Sequence, residues 1–306
     1  MKATTKCLPL FLIVCSIFAT SVSGNLQEPE KRHDSDILRE DTKNALDVDH
    51  TQVEQEATRV RGNLGWGREY EYRIEAERGY PGAQYYLGLM YAQGKAVPKD
   101  YKEALKWFRL AAEQGDVDAQ VFAGNMYELG QGVHADDQEA AKWYKLAAEQ
   151  GNDLGQSYLA HMYDVGKGVP KDFQEALKWY RLAAEQGHAG AQYRLGVMYV
   201  KGEGILEDDK EAVKWYLLAA EQGYADAQFI LGVRYSLGDG VPEDDKEAVK
   251  WYRLAAAEGH ARAQFLLGSM YDDGEGLPED PKEAVKFYRL AAEQGHAKAQ
   301  ARLNEM

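Results

Sequence analysis

The chain has 306 residues and a formal net charge of −14, from 50 acidic residues against 36 lysines and arginines. An acidic excess of this size argues against a nucleic-acid-binding protein and against attachment to anionic membranes through basic residues. Apolar residues make up 45% of the chain and aromatic residues 11%, which is enough for a packed core and excludes disorder throughout.

The first 24 residues have the pattern of a secretory signal peptide. Two lysines precede a run from Cys7 to Ala19 that is apolar apart from one serine, and small residues follow at 21–24. The run is too short for a stable membrane anchor, so we predict a secreted protein with residues 1–24 as its cleaved signal. Both cysteines, Cys7 and Cys15, lie in this segment. The mature chain is therefore predicted to have no disulfide and no thiolate metal site.

Residues 25–65 are predicted to be a disordered acidic leader or linker. No aromatic residue occurs between Asn25 and Gly62, and charged and small polar residues dominate. Such a segment buries too little apolar surface to offset its conformational entropy. Within it, residues 36–39 (Asp-Ile-Leu-Arg) resemble the Arg-x-Leu-Arg leader of oomycete effectors, but the first arginine is missing and no clear Glu-Glu-Arg follows.

From Trp66 to Met306 the sequence repeats every 36 residues. Tryptophan or phenylalanine, tyrosine and glycine recur at this interval over six units without insertion or deletion. A fixed period of this length is typical of proteins whose units stack on one another. The recurring glycines are Gly79, Gly115, Gly151, Gly187, Gly223, Gly259 and Gly295.

Each unit is predicted to contain two helices. In the first unit Ala83, Leu87 and Tyr91 have the spacing of one apolar helix face, and a loop rich in glycine and proline follows. The second helix begins at an aspartate with a glutamate three residues later, as in Asp100 and Glu103. We predict a capping box in which the glutamate reaches back to the N-cap amide.

Half-units are predicted at both ends of the array. Residues 67–79 align with a second helix and residues 296–306 with a first helix, and polar residues replace some of the apolar ones in both. Polar replacements of this kind are what terminal repeats of a stacked array require.

The recurring strings are Gln-Gly-x-Ala-x-Ala-Gln-Tyr-x-Leu-Gly-x-Met-Tyr and Gly-x-Gly-Val-Pro-x-Asp-x-x-Glu-Ala-x-Lys-Trp-Tyr, best preserved at 188–199 and 166–180. They are similar to the Sel-one-like repeat, a relative of the tetratricopeptide repeat, and the resemblance covers residues 66–306. It implies an all-α fold: a right-handed α-solenoid of six 36-residue helix-turn-helix repeats. It also implies a non-catalytic adaptor that binds a protein or peptide on its concave face.

Comparison of the repeats with one another separates constant from variable positions. The invariant glutamines, such as Gln84, are predicted to make a structural hydrogen bond to an adjacent loop. Three positions spaced by four residues along the first helix vary between repeats and are predicted to lie on one face. For the first of these three positions, packing between repeats is the alternative. The predicted partner-binding residues are Tyr193, Val197, Phe229, Val233, Leu237 and Phe265, with Asn125 and His161.

No catalytic, nucleotide or metal motif accompanies this pattern. The sequence after the signal contains no Ser-x-x-Lys, His-Glu-x-x-His or Gly-x-x-x-x-Gly-Lys-Ser/Thr. We therefore predict a secreted scaffold that is not an enzyme and that needs no cofactor and no metal. One alternative is a secreted microbial effector that is delivered into host cells and acts on host immunity or cell death by binding a host protein; another is a hydrolase.

Overall fold

The computed structural model describes residues 68–306; the predicted signal peptide and leader lie outside this range. Within it the chain forms helices and connecting loops with no strand, which confirms the predicted all-α class. None of these helices has both the length and the apolar character needed to cross a bilayer.

The described residues form two compact units, 68–186 and 187–306. The first unit contains α1 (Arg68–Glu77), α2 (Pro81–Gln93), α3 (Tyr101–Glu113), α4 (Val117–Leu129), α5 (Asp137–Glu149), α6 (Asp153–Val165) and α7 (Phe173–Glu185). The second unit contains α8 (Ala189–Lys201), α9 (Asp209–Glu221), α10 (Ala225–Leu237), α11 (Asp245–Ala257), α12 (Ala261–Asp273), α13 (Pro281–Glu293) and α14 (Ala297–Glu305).

Each unit is built from three helix pairs. The pairs are α2–α3, α4–α5 and α6–α7 in the first unit and α8–α9, α10–α11 and α12–α13 in the second. The two helices of a pair pack together, and within each unit the second helix of one pair packs against the first helix of the next. The α-solenoid prediction of six repeats is confirmed, with the single helices α1 and α14 at the positions of the predicted half-repeats.

A glycine in the first helix lets the two helices of a pair approach closely. A Cβ atom on Gly88 would lie 2.7 Å from the ring of Phe108, and one on Gly232 would lie 2.5 Å from the ring of Tyr252. Both rings are almost completely buried. The aromatic side chain of the second helix therefore fills the space that the missing Cβ leaves, and a side chain on the glycine would separate the helices.

The predicted capping box forms only in part. The Asp100 carboxylate accepts hydrogen bonds from the amides of Lys102 and Glu103, as predicted. Glu103 does not reach back, because the Asp100 amide donates to the carbonyl oxygen of Tyr91 at 3.0 Å. Glu103 instead contacts Lys106 at 3.1 Å on the surface. The capping box prediction was therefore wrong for the glutamate, whose expected partner is already bonded to the main chain of the first helix.

The loop between the two helices lies against the preceding repeat. Gly168 has φ of +69°, and a Cβ atom there would be 2.1 Å from the carbonyl oxygen of Asp137, the first residue of α5. Glycine is needed here both for its backbone conformation and for the lack of a side chain. The same approach recurs for Gly132 on Tyr101 in the first unit, and for Gly240 on Asp209 and Gly276 on Asp245 in the second.

The invariant glutamines join neighbouring repeats. Gln120 of α4 donates its Nε2 to the carbonyl oxygen of Ala112 in α3 at 3.1 Å, and its Oε1 accepts from Nε2 of Gln150 at 2.8 Å. The predicted structural hydrogen bond is confirmed, but it reaches the last turn of the preceding helix and not a loop. We call this pattern the glutamine relay. Its other members include Gln84 with Ala76 and Gln114, Gln156 with Ala148 and Gln186, and Gln264 with Ala256 and Gln294.

The relay is incomplete at Gln228 in the second unit. Gln228 donates to the carbonyl oxygen of Ala220 at 3.0 Å, but its buried Oε1 has no hydrogen-bond partner among residues 68–306. In the other relay pairs above, a second glutamine donates the hydrogen bond to this oxygen. The equivalent residue here is Glu258. A carboxylate has no proton to donate, so the amide oxygen of Gln228 stays unsatisfied.

The substitution Glu258→Gln should stabilise the protein. It provides the missing donor to a buried oxygen, and we expect the free energy of unfolding to rise by about 1 kcal/mol. Urea or thermal unfolding measures the change. Glu221→Gln is the matched control, because it makes the same chemical change on an exposed position without a relay partner. Equal effects of the two substitutions would contradict this account of the relay.

Gly168→Ala should destabilise the first unit more than Gly151→Ala. Both glycines have positive φ, but a Cβ on Gly151 meets no atom within 4 Å, whereas one on Gly168 meets the Asp137 carbonyl. We expect a loss of about 1–2 kcal/mol for Gly151→Ala from backbone strain, and of about 3 kcal/mol or more for Gly168→Ala. Chemical unfolding compares them; similar losses would mean that the close approach contributes nothing.

Candidate protein-binding surface

The predicted binding residues lie on the first helices of the repeats, and the structure divides them into a buried and a half-buried group. Phe229, Phe265, Val233 and Asn125 are buried. Tyr193, Val197, Leu237 and His161 keep part of their surface exposed.

Phe229 and Phe265 pack inside the second unit and do not line an open groove. Phe229 stacks on the imidazole of His260 with ring centroids 4.4 Å apart, and Phe265 stacks on His296 at 4.6 Å. Each histidine is the N-cap of the next first helix, where its Nδ1 accepts a backbone amide hydrogen. The two phenylalanines therefore fill the space between successive first helices, which is the alternative stated above for this position.

The prediction that Val233 and Asn125 bind a partner is also corrected, because both side chains are buried. Val233 is 1% exposed and belongs to the apolar core of the second unit. Asn125 is 3% exposed in the first unit and contributes a side-chain hydrogen bond to Tyr144. Exposures this low leave no surface for a partner protein, so both side chains serve packing in this structure.

The half-buried group leaves a smaller surface than the one predicted. In the second unit the ring of Tyr193 lies between those of Tyr216 and Tyr224, at centroid distances of 5.8 and 5.2 Å. Val197 and Leu237 rest on the edges of the two apolar clusters of this unit. Each of these side chains presents one side to the core and the other to solvent, which is the arrangement of an apolar contact surface.

A charged network that the sequence analysis did not predict lies in the first unit. The carboxylate of Glu128, with its side chain 2% exposed, accepts a hydrogen bond from the Tyr144 hydroxyl at 2.9 Å. The ammonium group of Lys167 lies 2.9 Å from Glu128 and 3.2 Å from Asp137. Burial alone would lower the pKa of Lys167, but Glu128 and then Asp137 raise it above its ordinary value. The ammonium therefore stays charged and neutralises a buried carboxylate.

The second unit contains two further pairs that neutralise an acid within the protein. The guanidinium of Arg234 is buried, in a position where the other repeats carry methionine, and it pairs with Asp209. Arg302 of α14 pairs with Asp272 at 2.7 Å. In both pairs a cation from one repeat or half-repeat contacts an acid of the preceding repeat.

The second helices carry a different repeated feature. One leucine in each is exposed by about two-fifths of its surface. In most repeats its carbonyl oxygen accepts a hydrogen bond from the glutamine that follows the same helix, as Leu110 does from Gln114. Because this leucine does not vary, it is part of the repeat scaffold. These residues are Leu110, Leu146 and Leu182 in the first unit and Leu218, Leu254 and Leu290 in the second.

The described residues show no arrangement suited to metal binding. No group of three or more His, Cys, Asp or Glu side chains between 68 and 306 is placed to hold an ion.

Lys167→Met should destabilise the first unit. It leaves the Glu128 carboxylate buried without its cation, and we expect a loss of about 3 kcal/mol in the free energy of unfolding. Lys142→Met is the matched control, because Lys142 pairs with Glu139 on the surface with 70% of its own side chain exposed. Exposed pairs of this kind contribute less than about 1 kcal/mol. Urea unfolding of both variants makes the comparison, and equal losses would show that Glu128 does not depend on Lys167.

Comparison with known sequences and structures agrees with this arrangement. The sequence model described as Sel1 repeat matches residues 81–116, 117–152, 154–188, 189–224, 225–260 and 261–296. These segments coincide with the six helix pairs in the described part of the chain. No curated protein matches the chain significantly.

Several solved structures are similar to this chain, and two of them are more than a third identical to it over the matched residues. One is c5321, a protective antigen present in uropathogenic Escherichia coli strains that displays an SLR fold: it is 40% identical, with a TM-score of 0.74 over 79% of this chain and 51% of c5321. The other is a Sel1 repeat protein from Oxalobacter formigenes, which is 35% identical, with a TM-score of 0.65 over 70% of this chain and 85% of that one. This chain thus spans about half the length of c5321.

The family assignment carries a general function with it. Sel1 repeat proteins generally act as scaffolds for protein–protein interaction and are typically non-catalytic. The six matches and the two related structures leave one conclusion: this chain belongs to the Sel1 repeat family.

Proposed function

We propose that this chain is a secreted, non-catalytic scaffold that binds a partner protein on the face of its first helices. The observation that carries the proposal is the division of residues on these helices. Constant residues such as the relay glutamine Gln228 face inward and hold the repeats together. Variable residues such as Tyr193, Val197 and Leu237 keep an exposed apolar side. A scaffold needs both, because its framework must repeat while its contacts must select one partner.

Secretion is supported by the sequence of residues 1–24 alone. Their basic start, short apolar run and small-residue end are typical of a signal peptide. A protein exported without cysteines beyond this segment depends on packing for its stability. The buried alanines and aromatic rings of both units, together with the glutamine relay, supply that packing.

The second candidate is an effector that acts on a host. Residues 36–39 favour it through their resemblance to an oomycete leader. The c5321 protein is a protective antigen of uropathogenic strains, which also associates a related protein with infection. Both related structures come from bacteria, so the leader is the weaker of these two supports. We keep the scaffold as the proposed function, because an effector would use the same binding face.

Leu237→Lys should weaken partner binding and leave the fold intact. Leu237 is half-buried at the end of α10, and the equivalent residue in the preceding first helix is already Lys201. A lysine at a helix C-terminus also interacts favourably with the helix dipole. We therefore expect an unchanged melting temperature and binding at least about tenfold weaker, since a charge placed within an apolar contact removes a large share of its energy.

The experiment expresses the full chain in a secreting host and purifies the protein from the medium. A photo-crosslinking residue at position 237 should capture a partner, and one at position 254, on the second-helix face, should not. Leu254→Lys is the matched binding control, because Leu254 is exposed on α11. Capture from both positions, or equal weakening by both lysine variants, would exclude the first-helix face. Protein that stays inside the cell would contradict secretion, and turnover of substrates from a hydrolase panel without a partner would contradict a non-catalytic role.

A further inference from the structure

In the second unit, the loop of the sixth repeat brings an acidic side chain near an acidic side chain of the fifth, close enough for the second to act on the pKa of the first. Gly276 approaches the first residue of α11 so closely that a Cβ atom on it would lie 2.5 Å from the Asp245 carbonyl oxygen. Glu275, its neighbour in the chain, is thereby held beside Asp245. Both carboxylates are half-buried.

A buried hydroxyl lies two helical turns further along α11. Tyr252 is 1% exposed, and its hydroxyl has no hydrogen-bond partner among residues 68–306. Because residues seven apart share a helix face, Tyr252 and Asp245 point toward the same side of α11. We call Asp245, Tyr252 and Glu275 the acidic notch.

The charges of the acidic notch are not neutralised within the described part of the chain. Burial raises the pKa of Asp245, with Glu243 and Asp244 adding to the effect. Burial also raises the pKa of Glu275, with Asp273 and Asp245 adding to it. No basic side chain from residues 68–306 forms an ion pair with either Asp245 or Glu275. A cation that comes close to carboxylates in such surroundings stabilises their charged form.

The same place in the first unit contains that cation. Asp137, Tyr144 and Lys167 lie 108 residues, or three repeats, before Asp245, Tyr252 and Glu275, and so hold the equivalent positions. There the Lys167 ammonium contacts Asp137 at 3.2 Å, and the Tyr144 hydroxyl donates to the carboxylate of Glu128, to which Lys167 also binds. In the third repeat this site therefore accommodates the ammonium group of the loop residue Lys167. The second unit carries Ser236 at the position equivalent to Glu128.

In the second unit, acidic side chains on either side of the acidic notch are paired with arginines of the same chain. Arg234 pairs with Asp209 of the preceding repeat, and Arg302 of α14 pairs with Asp272. At the notch the loop residue is Glu275, so the chain replaces a cation with a second acid. A divalent metal does not fit, because no three ligands among residues 68–306 are arranged for one.

We propose that the acidic notch binds the ammonium group of a lysine side chain presented by the partner protein. The proposal rests on the scaffold function above and specifies part of its partner. The two half-buried carboxylates supply the charge. The Tyr252 hydroxyl lies buried on the same side of α11 and has no hydrogen-bond partner among residues 68–306. Lys167 shows the chemistry of the occupant in the equivalent site of the first unit. Charge pairing of this kind selects partners and speeds their association more than it adds affinity.

The probe for this site is a nine-residue peptide of glycine and serine with one central lysine, acetylated and amidated at its ends. Its binding to the full-length protein is followed by NMR. We expect weak, saturable shifts, with a dissociation constant on the order of 1 mM, at the amides of residues 245, 252 and 275. The same peptide with its lysine Nζ acetylated should bind at least tenfold more weakly. Absence of saturable shifts, or equal binding of the acetylated peptide, overturns the proposal.

The decisive variant is Glu275→Lys, which puts into the notch the residue found at the equivalent position of the third repeat. Its ammonium should occupy the site, abolish the peptide shifts and raise the melting temperature. Glu279→Lys is the matched control, because it makes the same charge change four residues later on an exposed part of the loop. It should reduce peptide binding less than twofold. Equal loss in the two variants would mean that net charge alone attracts the peptide, and the notch would be excluded.

Partner capture and peptide binding by the two variants distinguish failure of the lysine site from failure of the scaffold proposal. If Glu275→Lys retains full partner capture while Leu237→Lys loses it, the scaffold stands and the notch does not bind the partner. If both variants lose capture and only Glu275→Lys also loses the lysine peptide, both proposals stand. If the lysine peptide binds the notch but no partner is captured from position 237, the scaffold face fails while the lysine site remains.

Discussion

The amide of the relay glutamine brings a donor and an acceptor into a layer that water does not reach. Gln120 satisfies them with the Ala112 carbonyl of the preceding repeat and with Gln150 at the end of its own repeat. An unsatisfied amide in such a place is costly, so the positions of three helix segments become interdependent. The aromatic rings that fit on the glycines and the loops that lie on the preceding helices add further close contacts to the same repeats. Replacement of one relay glutamine by Glu258 leaves Gln228 with only its donor satisfied.

Much of the fold could be predicted because single residues have local roles in it. The aspartate that caps each second helix, the glycines at positive φ and the apolar residues at helical spacing each determine the conformation of only a few neighbouring residues. The prediction for the glutamate of the capping box was wrong because its role depends on a distant part of the chain. Its place beside the Asp100 amide is taken by the carbonyl of Tyr91, which belongs to the helix before the loop. Which main-chain group closes a loop depends on the path of the chain, and that path is not encoded in the four residues of the motif.

The binding face was only partly predictable, because variation between repeats has two causes. Leu237 and Val197 vary at places that remain half exposed. Phe229 and Phe265 vary at places where the neighbour also varies, since each ring stacks on the histidine that caps the next first helix. A comparison of repeats cannot separate these cases, because it does not say which side chains meet. The pair of Glu128 and Lys167 was missed for a related reason: the partners are 39 residues apart and occupy different positions of successive repeats.

The contact between each loop glycine and the preceding second helix also bears on how such a chain can change in length. Gly168 meets Asp137, and Gly276 meets Asp245, at the same separation in sequence. Within each compact unit the bonds that join repeats therefore connect neighbours at constant offsets. Gain or loss of one whole 36-residue segment would restore every such contact at the new junction, whereas an insertion of a few residues inside a helix pair would misalign them all. Evolution of this architecture is thus expected to proceed by duplication and deletion of complete repeats, with point substitutions at the loops giving each copy its own charge.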